Sequence, residues 1–249
     1  MTVVIERSVA PHIHRVDHAY VNWYAIEDGD ELTIVDAGLP RSWEALGRLL
    51  RLLGRPLSAV SALVLTHAHF DHVGFARRMH ARGVPVLVHE RDAELLTHPF
   101  RYDHEAPLTR YLSLGLGRIL ASMTAAGAPA IRGLPASATY QDGQVLDVPG
   151  RPRAVFTPGH TYGHCSFELP DSGAVIAGDA LVTYDIYTQT AGPRIVAAGA
   201  TASTDEALRS LGRLADIDGA ADALLPGHGD PWRGSLASAV EQARAAGPA

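Results

Sequence analysis

The sequence is poor in cysteine and lysine. Cys165 is the only cysteine, so no intrachain disulfide can form, and we expect a cytoplasmic protein in a reducing compartment. All 21 basic residues are arginines, scattered along a chain whose net charge is −6. The concentrated positive charge of a nucleic-acid-binding surface is therefore not evident.

Long hydrophobic runs are also missing. No apolar segment approaches the ~18 residues that a membrane-spanning helix requires. Residues 1–11 contain Glu6 and Arg7 and lack the apolar stretch of a secretory signal. We therefore expect neither nucleic acid nor a membrane as a partner. We expect a small-molecule substrate instead, and the sequence leaves the oligomeric state open.

The length of 249 residues fits one large domain or two small ones, and no linker rich in proline and serine divides the chain. Residues 91–137 differ in sequence pattern from the rest of the chain, because polar and aromatic side chains there precede a helical pattern. We therefore predict a single domain over residues 1–249. It carries a partly helical insertion at about 91–137, which we expect to cover the functional site and to select its substrate.

Short apolar segments bounded by glycine and proline predict a mixture of strands and helices, which is the α/β class. Strands are predicted over residues 33–35, 62–65, 84–88, 145–148, 154–156, 165–169, 174–176 and 223–225. Helices are predicted over residues 43–53, 73–81, 108–126, 204–214 and 235–245. Thr204 is the expected N-cap of its helix.

Histidine is abundant, with 13 copies, and several stand beside carboxylates just after predicted strands. Strand ends at one sheet edge are where α/β folds place ligands. Neighbouring glycine and proline residues let the backbone turn sharply there. Each residue alone is an ordinary turn or surface residue, but their joint occurrence in this order indicates a metal site. The candidates are Asp36, His67, His69, Asp71, His72, His160, Asp179 and His228.

The spacing within residues 67–72 suits two neighbouring metal ions. His67 and His69 lie two residues apart in an extended segment, so their side chains point the same way. Asp71 and His72 are expected in the first turn of the following helix and face elsewhere. Asp179 could bridge two ions through its two oxygens. Imidazole and carboxylate donors suit zinc, and also iron, nickel or manganese.

The chain resembles the metallo-β-lactamase fold hydrolases, in particular their lactonase, thioesterase and glyoxalase II-like branch. The motifs that carry the resemblance are Thr-His-Ala-His-Phe-Asp-His at 66–72, Thr-Pro-Gly-His-Thr-Tyr-Gly-His at 157–164, Gly-Asp at 178–179, Pro-Gly-His-Gly at 226–229 and Val-Asp-Ala-Gly at 35–38. The resemblance implies an αβ/βα four-layer sandwich, in which two mixed β-sheets pack face to face with helices outside.

The resemblance also implies a role for each candidate residue. It implies two divalent ions, zinc first, with iron, manganese or nickel as alternatives. His67, His69 and His160 hold one ion, and Asp71, His72 and His228 hold the other, with Asp179 between them. Asp36 hydrogen-bonds a ligating histidine from behind. His164 stays outside the ligand set in a structural role.

The implied reaction is hydrolysis, in which a metal-bridging hydroxide attacks the carbonyl of a lactone, thioester or ester. Asp71 is expected to orient the nucleophile and to move its proton. A tyrosine could donate to the developing oxyanion, with Tyr184 as the first candidate and Tyr187 and Tyr162 as alternatives. The alternative for each tyrosine is a packed aromatic residue. Cys165 occupies no ligand position, and we expect it in the core.

Other activities that occur on the same fold remain as alternatives to ester-like hydrolysis. The best-known zinc β-lactamases have a cysteine at the position of Asp179, which disfavours β-lactam hydrolysis without excluding it. Glyoxalase II carries a helical C-terminal domain, whereas 21 residues follow His228 here. An iron-dependent persulfide dioxygenase is an oxidoreductase alternative, since imidazole and carboxylate sites accept iron. The last alternative is a module that binds metal but has no catalytic activity.

Overall fold

A computed structural model describes residues 2–217 and 221–249, and it contains fourteen strands and six α-helices over that part of the chain. The strands are β1 Val3–Ala10, β2 Ile13–His18, β3 Val21–Asp28, β4 Glu31–Val35, β5 Val60–Val64, β6 Val86–His89, β7 Ala138–Tyr140, β8 Arg153–Phe156, β9 Cys165–Leu169, β10 Ala174–Gly178, β11 Val182–Asp185, β12 Thr190–Arg194, β13 Ala223–Pro226 and β14 Trp232–Arg233. The helices are α1 Ser42–Leu53, α2 Ala76–His80, α3 Ala93–Thr97, α4 Leu114–Ala125, α5 Thr204–Ala215 and α6 Leu236–Ala246. None of these helices is long and apolar enough to cross a bilayer.

The strands form two large mixed sheets and one small antiparallel pair. In the first sheet the order is β1-β2-β3-β4-β5-β6-β7, antiparallel from β1 to β4 and parallel from β4 to β7. In the second sheet the order is β14-β13-β10-β9-β8, and only β10 and β13 are parallel neighbours. The separate pair is β11 with β12.

Three hydrophobic layers hold the sheets and helices together. Between the sheets, Tyr24 and Ile26 of the first sheet pack in one buried cluster with Cys165 and Phe167 of the second. The outer face of the first sheet packs against α1, α2 and α4, and the outer face of the second packs against α5 and α6. This is a helix–sheet–sheet–helix sandwich, which confirms the predicted fold class.

The helix predicted over 73–81 is shorter than expected and starts only at Ala76. Phe70–His72 form a separate 3₁₀ turn, so Asp71 and His72 do not belong to that helix. Gly74 donates its backbone N–H to Gly38 (2.7 Å) and Phe75 donates to Ala37 (3.2 Å). Residues 73–75 are thereby tied to the loop after β4, and Phe75, the residue before α2, has a non-helical backbone (φ −104°, ψ 5°).

Three other predictions differ in detail. The strand predicted over 145–148 is reduced to one bridge between Val145 and Arg153, because the chain turns back within 148–151. The helix predicted over 108–126 splits into a 3₁₀ turn, Leu108–Tyr111, and α4, which is capped by the Ser113 hydroxyl. Ser203, rather than Thr204, caps α5, since its hydroxyl accepts from the backbone N–H of Glu206.

Strands β1 to β3 and β11 to β12 have no counterpart among the predicted strands. Both groups matter for the site, because Tyr20 in the turn between β2 and β3 hydrogen-bonds His228, and Ile186 and Tyr187 between β11 and β12 border the donor residues. The segment 91–137 contains α3, α4 and short 3₁₀ turns. Tyr102 of this segment lies against His69, with the ring centroids 4.2 Å apart.

Candidate metal centre

The candidate ligands follow the ends of strands from both sheets and meet at one edge of the sandwich. His67 and His69 come directly after β5, and His160 lies in the turn between β8 and β9. Asp179 follows β10, and His228 follows β13, the parallel neighbour of β10. The sheet topology therefore brings residues that are far apart in sequence to one place.

The structure brings all seven predicted ligands together as three overlapping groups. Within each group, one nitrogen or carboxylate oxygen per residue lies within 4.8 Å of the others, and every residue is buried. The groups are His67, His69 and His160; His67, His72 and Asp179; and Asp71, His72 and His228. Two of these groups are the two predicted ligand sets without Asp179.

Asp179 occupies the centre of the cluster. Its Oδ2 lies 3.4 Å from His160 Nε2 and 3.1 Å from His228 Nε2, and its Oδ1 lies 3.6 Å from His72 Nε2. The carboxylate thus contacts histidines of both predicted sets, as a bridging ligand must. Gly227 permits this approach, because a Cβ there would lie 2.0 Å from Asp179 Oδ1.

The outer ring nitrogens of four histidines have hydrogen-bond partners that fix their tautomers. Because each Nδ1 faces an acceptor, the proton of the neutral ring resides there and the Nε2 lone pair then points into the cluster. The Nδ1 partners are Thr66 Oγ1 for His67 (3.0 Å), Asp36 Oδ2 for His72 (3.0 Å), Thr201 Oγ1 for His160 (3.4 Å) and the Tyr20 carbonyl for His228 (2.6 Å).

The inward-facing atoms fit a metal ion. Within residues 2–217 and 221–249 no hydrogen-bond partner exists for Asp179 Oδ1 or for Nε2 of His67, His69, His72 and His160, although all are buried. Buried polar atoms are normally satisfied, and such orphans call for an explanation. Five imidazoles and two carboxylates are a donor set that suits zinc, iron, nickel or manganese.

The charge states of three of the five histidines agree with this fit. Burial and neighbouring histidines lower the pKa of His67 and His69 well below its ordinary value, and burial lowers that of His160 to about 4. These three rings are therefore neutral near pH 7, which is the form that binds metal. Burial also disfavours charge on His72 and His228, but the surrounding carboxylates, Asp179 foremost, together outweigh it and raise their pKa values to about 9 and about 10, so these two rings would lose a proton on binding metal.

The structure places Asp36 behind His72. Its Oδ1 accepts from the backbone N–H of Thr66 (2.8 Å), and its Oδ2 accepts from the Thr66 hydroxyl (2.9 Å) as well as facing His72 Nδ1. Asp36 has a positive φ of 63°, an uncommon conformation for a non-glycine residue. The strained residue thereby connects the loop after β4 to the segment that carries His67 and His72.

His164 lies outside the donor cluster and supports it. Its Nε2 accepts a hydrogen bond from the backbone N–H of Asp179 (2.9 Å), so the proton resides on Nδ1, which donates to Thr157 Oγ1 (2.9 Å). The Thr157 hydroxyl in turn forms a hydrogen bond with Ser166 Oγ (3.0 Å). Burial lowers the pKa of His164 to about 3, so the ring stays neutral.

The structure does not bring Tyr184 to the cluster. Its ring stacks on Tyr20 at 6.4 Å and lines a separate cavity of about 430 Å³. The pairing of β11 with β12 shifts register between Val182 and Tyr184, so simple alternation does not locate this side chain. Tyr187, an alternative candidate, lines the narrow space at the cluster together with Tyr102.

Two cavities meet at the cluster. The narrow space, about 10 Å³, is bordered by Asp71, Asp179 and His228. A larger cavity of about 240 Å³ lies beside it and includes Tyr162, the third tyrosine candidate. His69, His160 and Tyr102 line both spaces. Tyr102, on the segment 91–137, therefore borders both the larger cavity and the narrow space at the donor atoms.

Sequence reasoning missed the residues that hold the loop carrying His228. The Asn22 side-chain amide donates to the Pro226 and Gly229 carbonyls (2.9 and 2.7 Å), and the Tyr24 hydroxyl also donates to Pro226 (2.6 Å). Buried Arg15 donates to Asn22 Oδ1 (2.9 Å) and to the Gly229 carbonyl (3.1 Å). No short motif marks these residues, because β2 and β3 reach this loop only through tertiary packing.

Comparison with known proteins agrees with the fold. The sequence profile of the Metallo-beta-lactamase superfamily matches residues 16–239. The chain belongs to the metallo-β-lactamase superfamily, which confirms the resemblance found in the motifs. It also resembles the solved structure of a metallo-beta-lactamase family protein from Thermus thermophilus, with a TM-score of 0.65, 26% identity, and coverage of 96% of this chain and 76% of that one.

The chain is also similar in sequence to several named proteins, of which two are informative here. The Probable metallo-hydrolase YflN of Bacillus subtilis (strain 168) is 29% identical over 242 residues, which cover 90% of this chain and 86% of that protein. The Atrochrysone carboxyl ACP thioesterase of Aspergillus fumigatus is 31% identical over 166 residues, which cover 65% of this chain but 40% of that protein.

Proposed function

We propose that this protein is a metal-dependent hydrolase that cleaves an ester-like bond: a lactone, a thioester or an ester. The observation that carries the proposal is the group of buried, inward-facing donor atoms around Asp179, beside a cavity large enough for a small molecule. The names of two relatives, a probable metallo-hydrolase and a thioesterase, support hydrolysis and an acyl substrate.

The residues that would hold the ions are the three histidines 67, 69 and 160 on one side and Asp71, His72 and His228 on the other, with Asp179 between them. Two divalent ions, zinc first and iron, manganese or nickel as alternatives, would supply Lewis acidity, the chemistry that makes hydroxide available near pH 7 and polarises a carbonyl. The neutral imidazoles of His67, His69 and His160 would bind without losing a proton, whereas His72 and His228 would release one.

Two further groups complete the chemistry of the chain itself. Asp71 lies at the narrow space with its Oδ2 3.5 Å from His228 Nε2, so its carboxylate can orient a water molecule and take up its proton. Tyr187 borders the same space, and its hydroxyl can donate to a developing oxyanion. No serine or cysteine nucleophile is needed, and Cys165 is buried between the sheets.

The cavity suggests the kind of substrate. A volume of about 240 Å³ is below the usual range for drug-sized ligands, about 300–1,000 Å³, and indicates a small molecule. Arg91 and Arg101 line it together with Glu94 and Asp103, so the lining carries charges of both signs. We propose a small polar acyl compound as the partner, and a cytoplasmic location in keeping with the single buried cysteine.

A substrate panel with measured metal content tests the proposal. The purified protein is assayed against activated esters, thioesters, lactones and β-lactams, before and after removal of metal with a chelator. We expect hydrolysis of at least one ester-like class, lost on chelation and restored by added zinc. Hydrolysis that persists unchanged without metal would refute the mechanism. Oxygen consumption with glutathione persulfide, and no ester hydrolysis, would favour the dioxygenase alternative.

A further inference from the structure

One buried carboxylate outside the donor cluster connects the loops that carry the ligand candidates. Asp92 follows β6 in a 3₁₀ turn, Glu90–Asp92, and is 2% exposed. It belongs to none of the sequence motifs and to none of the three donor groups. Its position at the wall of the 240 Å³ cavity, beside His69 and His160, shows that it lies close to the site.

The hydrogen bonds of Asp92 reach both loops at once. Its Oδ2 accepts from the backbone N–H of Ala68 (3.1 Å) and from the Thr161 hydroxyl (2.7 Å), and its Oδ1 accepts from the backbone N–H of Gly163 (2.8 Å). Ala68 lies between His67 and His69, and Thr161 follows His160. One side chain therefore links a loop of the first sheet to a loop of the second.

Two residues of the 157–164 motif, Thr161 and Gly163, are suited to their contacts with the Asp92 carboxylate. A Cβ at Gly163 would lie 2.5 Å from Asp92 Oδ1 and 2.6 Å from Asp92 N, so no other residue fits without a shift of the backbone. Thr161 is buried and supplies a hydroxyl donor. Binding of metal by His160 explains neither residue, whereas hydrogen bonding to Asp92 explains both.

The buried charge is costly by itself. Burial raises the pKa of Asp92 to about 6, although the three hydrogen bonds lower it. A carboxylate in such surroundings disfavours the folded state unless its bonds bring a compensating gain. The gain that the geometry offers is a fixed distance between the two histidine loops.

We propose that Asp92 is a positioning residue whose carboxylate fixes the separation between the turn carrying His67 and His69 and the turn carrying His160. The affinity of this three-histidine group for a divalent ion depends on that separation. The inference rests on the proposed metal site but not on the proposed substrate. Outer partners that orient metal ligands typically contribute about 10–100-fold in affinity.

Asp92→Asn tests the proposal through metal binding alone. The amide keeps one oxygen acceptor and turns an NH₂ donor toward groups that are themselves donors. Co²⁺ is titrated into metal-free protein, and binding is followed by its absorption spectrum and by its release rate to a chelator. We expect an affinity lower by about 10–100-fold and a changed spectrum. Asp171→Asn, which alters an exposed carboxylate on the turn after β9, is the matched control and should bind like the wild type.

A second pair of variants keeps the test decisive if Asp92→Asn does not fold. Thr161→Val removes one hydrogen bond to Asp92 and keeps the shape, whereas Thr161→Ser restores the hydroxyl. We expect weaker Co²⁺ binding in the valine variant and near-wild-type binding in the serine variant. Equal binding by both, or unchanged affinity in folded Asp92→Asn, would overturn the proposal.

The Co²⁺ titration separates this inference from the proposed reaction. A wild-type protein that binds Co²⁺ but hydrolyses no ester-like substrate would refute the proposed function and leave the role of Asp92 standing. A wild-type protein that hydrolyses such a substrate, with Co²⁺ affinity unaffected in folded Asp92→Asn, would refute the positioning role alone. A wild-type protein that binds no divalent ion would refute both.

Discussion

Removal of the Asn22 side chain should loosen the loop that carries His228 and destabilise the fold by a calculable amount. Asn22→Ala deletes three hydrogen bonds: one from Arg15 Nε and two to the carbonyls of Pro226 and Gly229. A typical intramolecular hydrogen bond contributes about 0.5–1.5 kcal/mol net. The free energy of unfolding should therefore fall by about 3 kcal/mol. In a protein of this size, that corresponds to a Tm lower by about 6–12 °C.

The assay is thermal unfolding of the metal-free protein, because bound metal would add its own stabilisation. Tyr24→Phe is the matched control: it removes a single hydrogen bond to the Pro226 carbonyl and preserves the ring in the core. It should lower the Tm by only about 2–4 °C. An Asn22→Ala shift no larger than that of Tyr24→Phe would show that these hydrogen bonds do not hold the loop.

The remaining predictions concern chemistry and reactivity. Asp71→Asn should lower turnover per bound metal by roughly 10²-fold or more, as loss of a general base does, while some metal stays bound. If the Asp71→Asn variant keeps near-wild-type turnover and His164→Ala loses turnover, the roles assigned to Asp71 and His164 are wrong. Tyr187→Phe should lower kcat by at least about 10-fold as an oxyanion donor is lost. Tyr184→Phe, in the separate cavity, should leave kcat unchanged, and the opposite result would restore the expectation from sequence. Cys165 should resist thiol reagents near neutral pH in the folded protein and react only after denaturation, because burial raises the pKa of its thiol far above the ordinary value; labelling of the native protein would contradict this.

The donor set is the part of the molecule that the sequence predicts best. His67, His69, Asp71 and His72 lie within six residues, so local geometry alone directs them to one region. His160, Asp179 and His228 each follow a strand at a glycine, and the parallel pairing of β10 with β13 brings the last two together. Their roles as ligands remain predictions, although the structure places all of them in one cluster.

The elements that escaped prediction depend on tertiary structure. In β3, six consecutive residues from Val21 to Ile26 are buried, so the strand lacks the alternation that marks a half-exposed strand. The position of Tyr184 depends on a register shift that no period-2 pattern contains. Asp92 and Asn22 act through partners that are distant in sequence, at separations of up to 71 and 207 residues respectively. Such contacts leave no local signal.

The number of metal ions bound per chain is the sharpest test of the proposed two-ion centre. Protein reconstituted with zinc is dialysed and analysed for metal, beside His228→Ala and His80→Ala, the latter altering an exposed histidine at the end of α2, outside the cluster. We expect close to two ions in the wild type and in His80→Ala. His228→Ala should hold about one, because His67, His69 and His160 are intact. A wild-type protein that binds one ion or none, or an unchanged count in His228→Ala, would contradict the two-ion centre.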